Sequence, residues 1–266
     1  MKKILKKYLP NSVINTLVRL RYRYYIWKGF NHKTAQKGEF ESSIRFMTSG
    51  NKFMELVYNV EALKNRSLYE KVIYPLCHIS NFFRDIKEYK AFSDDIQNKR
   101  CLEIGSGPVG FLGLMPWIRE RIMIDPLLDK YKNFQLSRFG KTFFTDDIQR
   151  YSQDAEIFIS SLENSINGCI VVRNALDHCE DPWKILKNIS QYASTDCKLL
   201  LWTDLWHLRG IDGEHRNITK DKDIFEKKLI DLGFKIENTF SDVRNDNSAI
   251  EYGCIAVKTK ESTSNV

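Results

Sequence analysis

The sequence has no uninterrupted run of about 18 apolar residues, the length that a transmembrane helix needs. Its first seven residues include four lysines, like the start of a secretory signal. However, Asn11, Ser12 and Asn15 interrupt the apolar segment that such a signal requires. Apolar residues make up 42% of the chain, which is typical of a folded protein rather than a disordered one. These features predict a globular, cytoplasmic protein.

The chain also lacks paired cysteines. Its six cysteines include no C-x-x-C pair and no spacing typical of zinc ligands. Four of them, Cys101, Cys169, Cys197 and Cys254, lie at or near the start of an apolar run. Buried thiols of this kind behave as small apolar side chains, so reduced core cysteines are favoured over disulfides or metal ligands.

Acidic residues are absent from positions 1–37, which hold ten lysines and arginines. The net charge of +7 therefore belongs to this N-terminal arm, since acids outnumber bases in the rest of the chain. Apolar residues recur in the arm at helical spacing, and Tyr22, Tyr24, Tyr25 and Trp27 lie among arginines. Three interpretations stay open: an anionic membrane surface, a nucleic acid, or a helix packed on the protein's own domain.

Residues 38–99 contain apolar positions at helical intervals, which predict two or three helices forming a cap over the later domain. From residue 100 to 260, strand and helix patterns alternate, and residues 261–266 form a polar tail that we expect to be disordered. This alternation predicts an α/β, Rossmann-like fold with a seven-stranded, mostly parallel sheet and an antiparallel last strand. The predicted strands are 100–105, 121–125, 142–145, 168–174, 197–203, 234–240 and 251–258. The predicted helices of this domain include 109–118, 128–139, 182–193 and 221–232, the last followed by Gly233 as a C-cap.

A glycine-rich turn follows the first of these strands, in the sequence CLEIGSGPVG at residues 101–110. Gly105, Gly107 and Gly110 form a G-x-G-x-x-G pattern, which allows the backbone to approach a ligand closely. Asp125 ends the next apolar run, about 20 residues further on, where nucleotide-binding α/β folds hold an acceptor for ribose hydroxyls. Together these two signals predict a nucleotide-type ligand.

Residues 100–258 resemble a class I S-adenosylmethionine-dependent methyltransferase of the small-molecule branch. The resemblance depends on residues 102–110, with Glu103 two positions before the first glycine, and on residues 170–183, IVVRNALDHCEDPW. Residues 199–204 look like the fifth strand of that family. The chain departs from the family where Ser194, Thr195 and Asp196 replace the usual Pro-Gly-Gly turn.

The resemblance implies S-adenosylmethionine as the cofactor. It places the glycine turn around the methionine part, Glu103 near the ammonium group, and Asp125 on the ribose hydroxyls. It assigns the adenine amino group to Asp146, or else to Asp147, at the end of the third strand. The full implied cofactor set is Glu103, Gly105, Ser106, Gly107, Gly110, Asp125, Pro126, Asp146, Asp147 and Asn174. Glu103 could instead be a plain strand-end acid, and Asp146 and Asp147 could be helix N-caps.

The sequence gives less specific signals for the residues that would bind and activate the methyl acceptor. A histidine is the natural base for an oxygen or nitrogen nucleophile near neutral pH, and the candidates are His178, His207 and His215. A structural role for His178 remains an alternative. The predicted substrate-binding residues are Trp206, Arg209 and Arg216. A metal held by Asp204, His207 and His215 matches no known ligand spacing, so no metal is predicted.

The sequence thus predicts an S-adenosylmethionine-dependent O- or N-methyltransferase of a small or carrier-linked metabolite. The basic arm favours a sugar or polysaccharide precursor handled at the inner face of the membrane. An RNA methyltransferase and a catalytically inactive partner protein with the same fold are the alternatives. A nicotinamide-dependent oxidoreductase is disfavoured by Glu103 and by the predicted terminal hairpin.

Overall fold

The computed structural model describes residues 31–50, 82–143, 146–207, 215–243 and 249–260. Most of the predicted arm, residues 51–81 of the cap and the tail at 261–266 lie outside these ranges. One helix, His32–Met47, runs across the boundary predicted between the arm and the cap at residues 37 and 38. Within the described residues, no helix combines the length and apolar composition needed to cross a bilayer.

The described residues form five α-helices and seven strands. The helices are α1 (His32–Met47), α2 (Ile86–Ile96), α3 (Leu128–Phe139), α4 (Pro182–Tyr192) and α5 (Lys222–Asp231). The strands are β1 (Arg100–Ile104), β2 (Glu120–Ile124), β3 (Ile148–Tyr151), β4 (Cys169–Arg173), β5 (Lys198–His207), β6 (Phe234–Val243) and β7 (Ala249–Lys258). Single 3-10 turns occur at Leu112–Leu114, Ser160–Leu162 and Leu176–His178.

All seven strands belong to one sheet with the order β3-β2-β1-β4-β5-β7-β6. The neighbouring pairs among β1 to β5 are parallel, whereas β7 is antiparallel to both β5 and β6. This arrangement confirms the predicted fold class and the predicted edge hairpin. Because β1 and β4 are adjacent although distant in sequence, the loops that follow them meet at the carboxyl edge of the sheet.

Side-chain caps explain where several helices begin. The side chain of Asn31 accepts a hydrogen bond from the Thr34 amide at the start of α1. Asp181 caps α4, with Pro182 in the first turn. At the end of α5, Gly233 has φ +82° and its amide donates to the Ile230 carbonyl, as the predicted C-cap requires.

The two faces of the sheet pack against separate apolar clusters because successive strand residues point to opposite sides. On β1, Cys101 faces the cluster that includes Phe92 of α2 and Met47 of α1, whereas Leu102 faces the cluster beneath α4. The cysteines within the described residues are buried, free thiols, as expected for small core side chains. Cys77 lies outside those residues.

The strand predicted at 142–145 is wrong. The third strand is instead Ile148–Tyr151, paired with β2 so that Ile148 lies opposite Arg121. The amide of Phe143 donates to the side chain of Gln135 at 2.9 Å, so this segment packs on α3 rather than joining the sheet. The shift puts Asp146 and Asp147 before the third strand instead of after it.

The helix predicted at 109–118 is also wrong, because only the 3-10 turn Leu112–Leu114 forms there. The carboxylate of Glu103 accepts hydrogen bonds from the amides of Phe111 and Leu112, both at 2.8 Å. Pro116 cannot continue a helix begun at these residues without loss of a backbone hydrogen bond. The chain therefore returns to β2 through an irregular, buried loop.

Candidate cofactor site

A cavity of about 630 Å³, partly open to solvent, lies at the carboxyl ends of β1 to β4. The ends of β1 and β2 contribute Ile104 and Ile124, and α1 forms the opposite wall. This is the edge of an open α/β sheet where ligands usually bind.

The glycine turn after β1 forms the floor of the cavity. Gly105 has φ +67°, and a Cβ atom there would come within 2.3 Å of the Cβ of Ala175 in the loop after β4. Gly107 has φ +61°, but a Cβ atom there would meet nothing within 4 Å. The first glycine therefore allows two loops to touch, while the second borders open space in which a ligand can approach the backbone.

Asp125 lies at the end of β2 and lines the cavity, as the sequence predicts. Its Oδ2 accepts the Gly107 amide at 2.9 Å and its Oδ1 accepts the Leu127 amide at 2.8 Å. These bonds fix the carboxylate against the glycine turn and leave further lone pairs for a ligand. Burial raises the pKa of Asp125 to about 6, although the two amides oppose that shift. Pro126, which follows it, also lines the cavity.

A second carboxylate reaches the cavity from the loop after β3, which the sequence analysis missed. Asp154 Oδ1 accepts hydrogen bonds at 3.0 Å from His32 Nε2 and from Gln36 Nε2, both on α1. Asp154 comes three residues after Tyr151, the last residue of β3. A correct assignment of the third strand would have found it by the rule that ligand-binding acids follow parallel strands.

The loop that carries Asp154 is held in place by α4. Glu156 Oε1 accepts the amides of Glu180 and Asp181 at 2.8 and 3.3 Å, just before α4 begins. The side chain of Asn188 in α4 donates to the Ala155 carbonyl at 2.9 Å. Residues 154–156 of this loop line the cavity, and these hydrogen bonds anchor them to the start and middle of α4.

The N-terminal helix α1 supplies a wall that lies outside the family resemblance. His32, Ala35, Gln36 and Glu39 all line the cavity. Tyr131 of α3 lies 3.3 Å, hydroxyl to hydroxyl, from Ser43 and helps to hold α1 against the sheet domain. Sequence patterns do not indicate this placement, because it depends on packing between segments far apart in the chain.

The cavity wall, as far as the structure describes it, carries carboxylates and imidazoles but no lysine or arginine. The acids are Glu39, Asp125, Asp154 and Glu156, and the imidazoles are His32 and His178. Clustered carboxylates favour a ligand that carries positive charge and hydroxyl or amino donors.

Three residues of the predicted cofactor set shape the glycine turn and are not among the described residues that line the cavity: Glu103, Ser106 and Gly110. Glu103 is fully buried, and its two oxygens accept the amides of the loop after the turn. Burial raises the pKa of Glu103 to about 7, against the opposing effect of the Phe111 amide. A Cβ atom at Gly110 would lie 2.9 Å from Glu103 Oε2, so this glycine leaves room for the carboxylate.

Asp146 and Asp147 do not reach the cavity. They precede β3, at the amino end of the sheet. Asp147 accepts a hydrogen bond at 2.5 Å from Arg121, a buried guanidinium at the start of β2. This position does not support the expectation that one of them contacts adenine, and the cause is the misplaced third strand.

The loop after β4 forms the remaining wall. Asn174 lines the cavity in a left-handed conformation, φ 48°, and its amide donates to the Trp202 carbonyl of β5 at 2.7 Å. His178 lines the same wall. Its ring lies 4.4 Å, centroid to centroid, from that of His215, which follows β5. The structure thus brings together two of the three histidines predicted for the acceptor side.

Asp177 joins these two histidines, and it is not among the site residues predicted from the sequence. His215 Nδ1 donates to Asp177 Oδ2 at 2.8 Å, and His178 Nε2 lies 3.5 Å from the same oxygen. Burial alone would raise the pKa of Asp177, but the neighbouring imidazoles outweigh it and lower that pKa. Asp177 is therefore ionised at neutral pH despite being buried.

The other acceptor-side residues are less closely placed. The Arg216 amide donates to the Asp177 carbonyl at 2.6 Å, so Arg216 follows the cluster directly. Trp206 lies on β5 beneath the ammonium group of Lys220, which is 4.7 Å from its ring centre. Arg209 and the side chain of His207 lie outside the described residues.

Comparisons with known proteins give a fold but no close relative. No protein-family model matches the chain, and no curated protein is significantly similar to it in sequence. A proposed methyltransferase from Bacillus halodurans C-125 covers 67% of this chain and 100% of its own, with 12% identity and a TM-score of 0.52. A proposed sarcosine dimethylglycine methyltransferase from Galdieria sulphuraria covers 65% of this chain and 82% of its own, with 12% identity and a TM-score of 0.50. The chain thus has the class I methyltransferase fold.

Proposed function

We propose that the protein is an S-adenosylmethionine-dependent methyltransferase. The observation that carries this proposal is the carboxylate-lined cavity at the carboxyl ends of β1 to β4, directly against the glycine turn. The cofactor bears a sulfonium, an ammonium, a ribose diol and an adenine amino group, all of which are suited to carboxylate partners. When bound, it supplies a methyl group that is already activated for transfer to a nucleophile.

The residues present fit this cofactor. Gly107 leaves space for close backbone approach, and Asp125 offers its remaining lone pairs to the ribose hydroxyls. Asp154 takes the place that the sequence analysis gave to Asp146, as the carboxylate for the adenine amino group. Glu39 of α1 adds negative charge from the opposite wall. Glu103 holds the turn from below rather than binding the ligand.

The acceptor would enter next to the loop after β4, where His178 borders the cavity. Either His178 or His215 can take a proton from an oxygen or nitrogen nucleophile, and Asp177 orients His215 for this. Trp206, Arg209 and Arg216 remain our candidates for substrate contacts. A small or carrier-linked metabolite, such as a sugar or polysaccharide precursor, is the substrate class that we favour.

The basic arm supports the last part of this proposal. An arm with ten lysines and arginines and no acid suits an anionic surface, as a lipid-linked acceptor would provide. The same arm is the observation in favour of the second candidate, an RNA methyltransferase. RNA binding would weaken steeply with salt, because each neutralised phosphate releases counterions.

The proposed activity is tested by titrating the protein calorimetrically with S-adenosylhomocysteine. We expect micromolar binding to the wild type and at least tenfold weaker binding to Asp125→Ala, because the variant loses the carboxylate beside the glycine turn. Thermal unfolding of both proteins checks that the variant is folded. Binding of a nicotinamide dinucleotide in place of S-adenosylhomocysteine would contradict the proposal.

A further inference from the structure

Asp177, His178 and His215 form a compact cluster at the carboxyl edge of the sheet, and nothing in the cofactor site requires all three. Their potential ligand atoms all lie within 4.8 Å of one another. Asp177 Oδ2 is 2.8 Å from His215 Nδ1 and 3.5 Å from His178 Nε2. One carboxylate oxygen and two imidazole nitrogens are therefore close neighbours in this cluster.

These separations match those of atoms that share a metal ion. Nitrogen and oxygen ligands at about 2.0–2.1 Å from zinc are about 3.4 Å apart in tetrahedral geometry. In octahedral geometry the same bond lengths put neighbouring ligands about 2.9 Å apart. The two carboxylate–imidazole distances, 2.8 and 3.5 Å, lie close to that range, and the imidazole nitrogens lie within 4.8 Å of each other. A metal ion would replace the hydrogen bond between His215 Nδ1 and Asp177, and the neutral imidazole of His215 would then carry its proton on Nε2.

The carboxylate at the centre of the cluster is held firmly. Asp177 is only 1% exposed, and its Oδ1 accepts a hydrogen bond from Thr203 Oγ1 of β5 at 3.4 Å. Its main-chain carbonyl accepts the Arg216 amide at 2.6 Å, which ties the segment after β5 to the loop after β4. Metal-binding side chains are commonly oriented by such outer hydrogen bonds.

We propose that Asp177, His178 and His215 bind a divalent first-row transition metal ion such as Zn²⁺. Two imidazoles and one carboxylate suit this class of ion, and three protein ligands leave a coordination position open. Since His178 also lines the cofactor cavity, the ion lies beside that cavity. The inference rests on the proposed function for its role but not for its existence.

The open position suits an acceptor with a hydroxyl group. Coordination lowers the pKa of a bound hydroxyl, so its O–H bond breaks near neutral pH and the proton passes to water. The ion stays divalent and no electron is transferred. His178 and His215 then act as ligands, which replaces the role of base considered above. This chemistry favours O-methylation over N-methylation.

The test is binding of Zn²⁺ to the full-length protein after dialysis against a chelator, followed by Co²⁺ substitution and visible spectroscopy. We expect one Zn²⁺ per chain and a Co²⁺ spectrum with nitrogen and oxygen ligation. His215→Gln and Asp177→Asn should each weaken binding at least tenfold. His215→Gln is the safer variant for folding, because His215 is partly exposed and lies outside helices and strands.

The matched control is His32→Gln. His32 also pairs with a carboxylate at the cavity, since its Nε2 lies 3.0 Å from Asp154 Oδ1, but it is not part of the cluster. Metal binding by this variant should equal that of the wild type. Absence of stoichiometric binding to the wild type, or equal loss in His32→Gln and His215→Gln, would overturn the inference.

S-adenosylhomocysteine binding, measured separately with and without chelator, distinguishes this inference from the proposed function. Cofactor binding without metal binding would contradict only the proposed metal site. Metal binding without cofactor binding would support the proposed metal site and contradict the proposed methyltransferase activity.

Discussion

Glu103 has a role that its sequence position does not reveal. It lies in the motif that the resemblance connects with the cofactor ammonium, yet its two oxygens accept the amides of Phe111 and Leu112. Gly110 provides the space for this carboxylate. Glu103 thus shapes the loop that supports the glycine turn, and its contribution to the protein is one of stability.

The pH dependence of stability should report the burial of this carboxyl group. The pKa of Glu103 is about 7 in the folded protein, compared with an ordinary value of 4.5. The folded state therefore binds the proton more tightly, so the stabilisation is complete below pH 4.5 and is lost as the pH rises through 7. Between pH 5 and pH 8 the wild type should lose up to about 3 kcal/mol of unfolding free energy relative to Glu103→Gln.

Urea unfolding of both proteins at fixed ionic strength measures that difference. Other titrating groups are common to the two proteins and cancel. Parallel stability curves over this pH range would show that the burial of Glu103 does not perturb its titration.

Asp154 shows why one site residue escaped prediction while another did not. Asp125 directly follows a strand that has an unmistakable apolar run, so its place at the sheet edge was predictable. Asp154 follows β3, an edge strand in which only Ile148 is fully buried. A four-residue strand with one buried position has almost no periodic signal. Residues 142–145 contain more β-forming side chains, and they were therefore predicted as the third strand instead.

At the level of elements, the contact between the loops after β1 and β4 sets the shape of the site. Gly105 and Gly107 have nearly the same backbone conformation, φ +67° and +61°. They differ in surroundings, because only Gly105 touches Ala175. Substitutions at these two glycines therefore distinguish the free-energy cost of the backbone conformation from that of steric overlap.

Alanine substitution at the two glycines should therefore give different losses. Gly107→Ala should cost about 1–2 kcal/mol, the penalty of a left-handed alanine. Gly105→Ala should cost at least about 2 kcal/mol more, since its methyl group overlaps a packed neighbour. Chemical denaturation of the two variants gives both values. Equal losses would mean that the loops separate at little cost.

Other elements were predictable to differing degrees. The strong apolar runs and the terminal hairpin allowed six of the seven strands to be located from sequence. The helix predicted at 109–118 was wrong, because only the 3-10 turn Leu112–Leu114 forms there and Pro116, inside the predicted span, has no amide to donate to a helical hydrogen bond. The position of α1 on the cavity depends on tertiary packing with α3, through Tyr131 and Ser43.

On the scale of the whole molecule, the charge distribution separates the arm from the sheet domain. Positions 1–37 carry ten cations without an acid, whereas the described cavity wall is lined by carboxylates. A chain that carries a cationic segment and a separate acidic cofactor site can approach an anionic surface without repelling a positively charged ligand. This division of charge underlies the proposed association with a membrane surface.

That association predicts a charge-dependent partition into lipid vesicles. The full-length protein should bind vesicles rich in phosphatidylglycerol, and binding should fall as salt rises. Replacing Arg19, Arg21 and Arg23 by glutamine should weaken it by an order of magnitude or more, at roughly 1 kcal/mol per charge. Sedimentation with zwitterionic vesicles is the control. Equal partition of the two proteins would contradict the proposal.

The proposed function depends above all on binding of S-adenosylmethionine in the carboxylate-lined cavity. The most direct measurement compares S-adenosylhomocysteine affinity in Asp154→Asn and Asp146→Asn, which remove the same charge from opposite ends of β3. We expect at least tenfold weaker binding in Asp154→Asn and wild-type affinity in Asp146→Asn. Loss of affinity in Asp146→Asn alone, or an unchanged affinity in Asp154→Asn, would contradict the proposal.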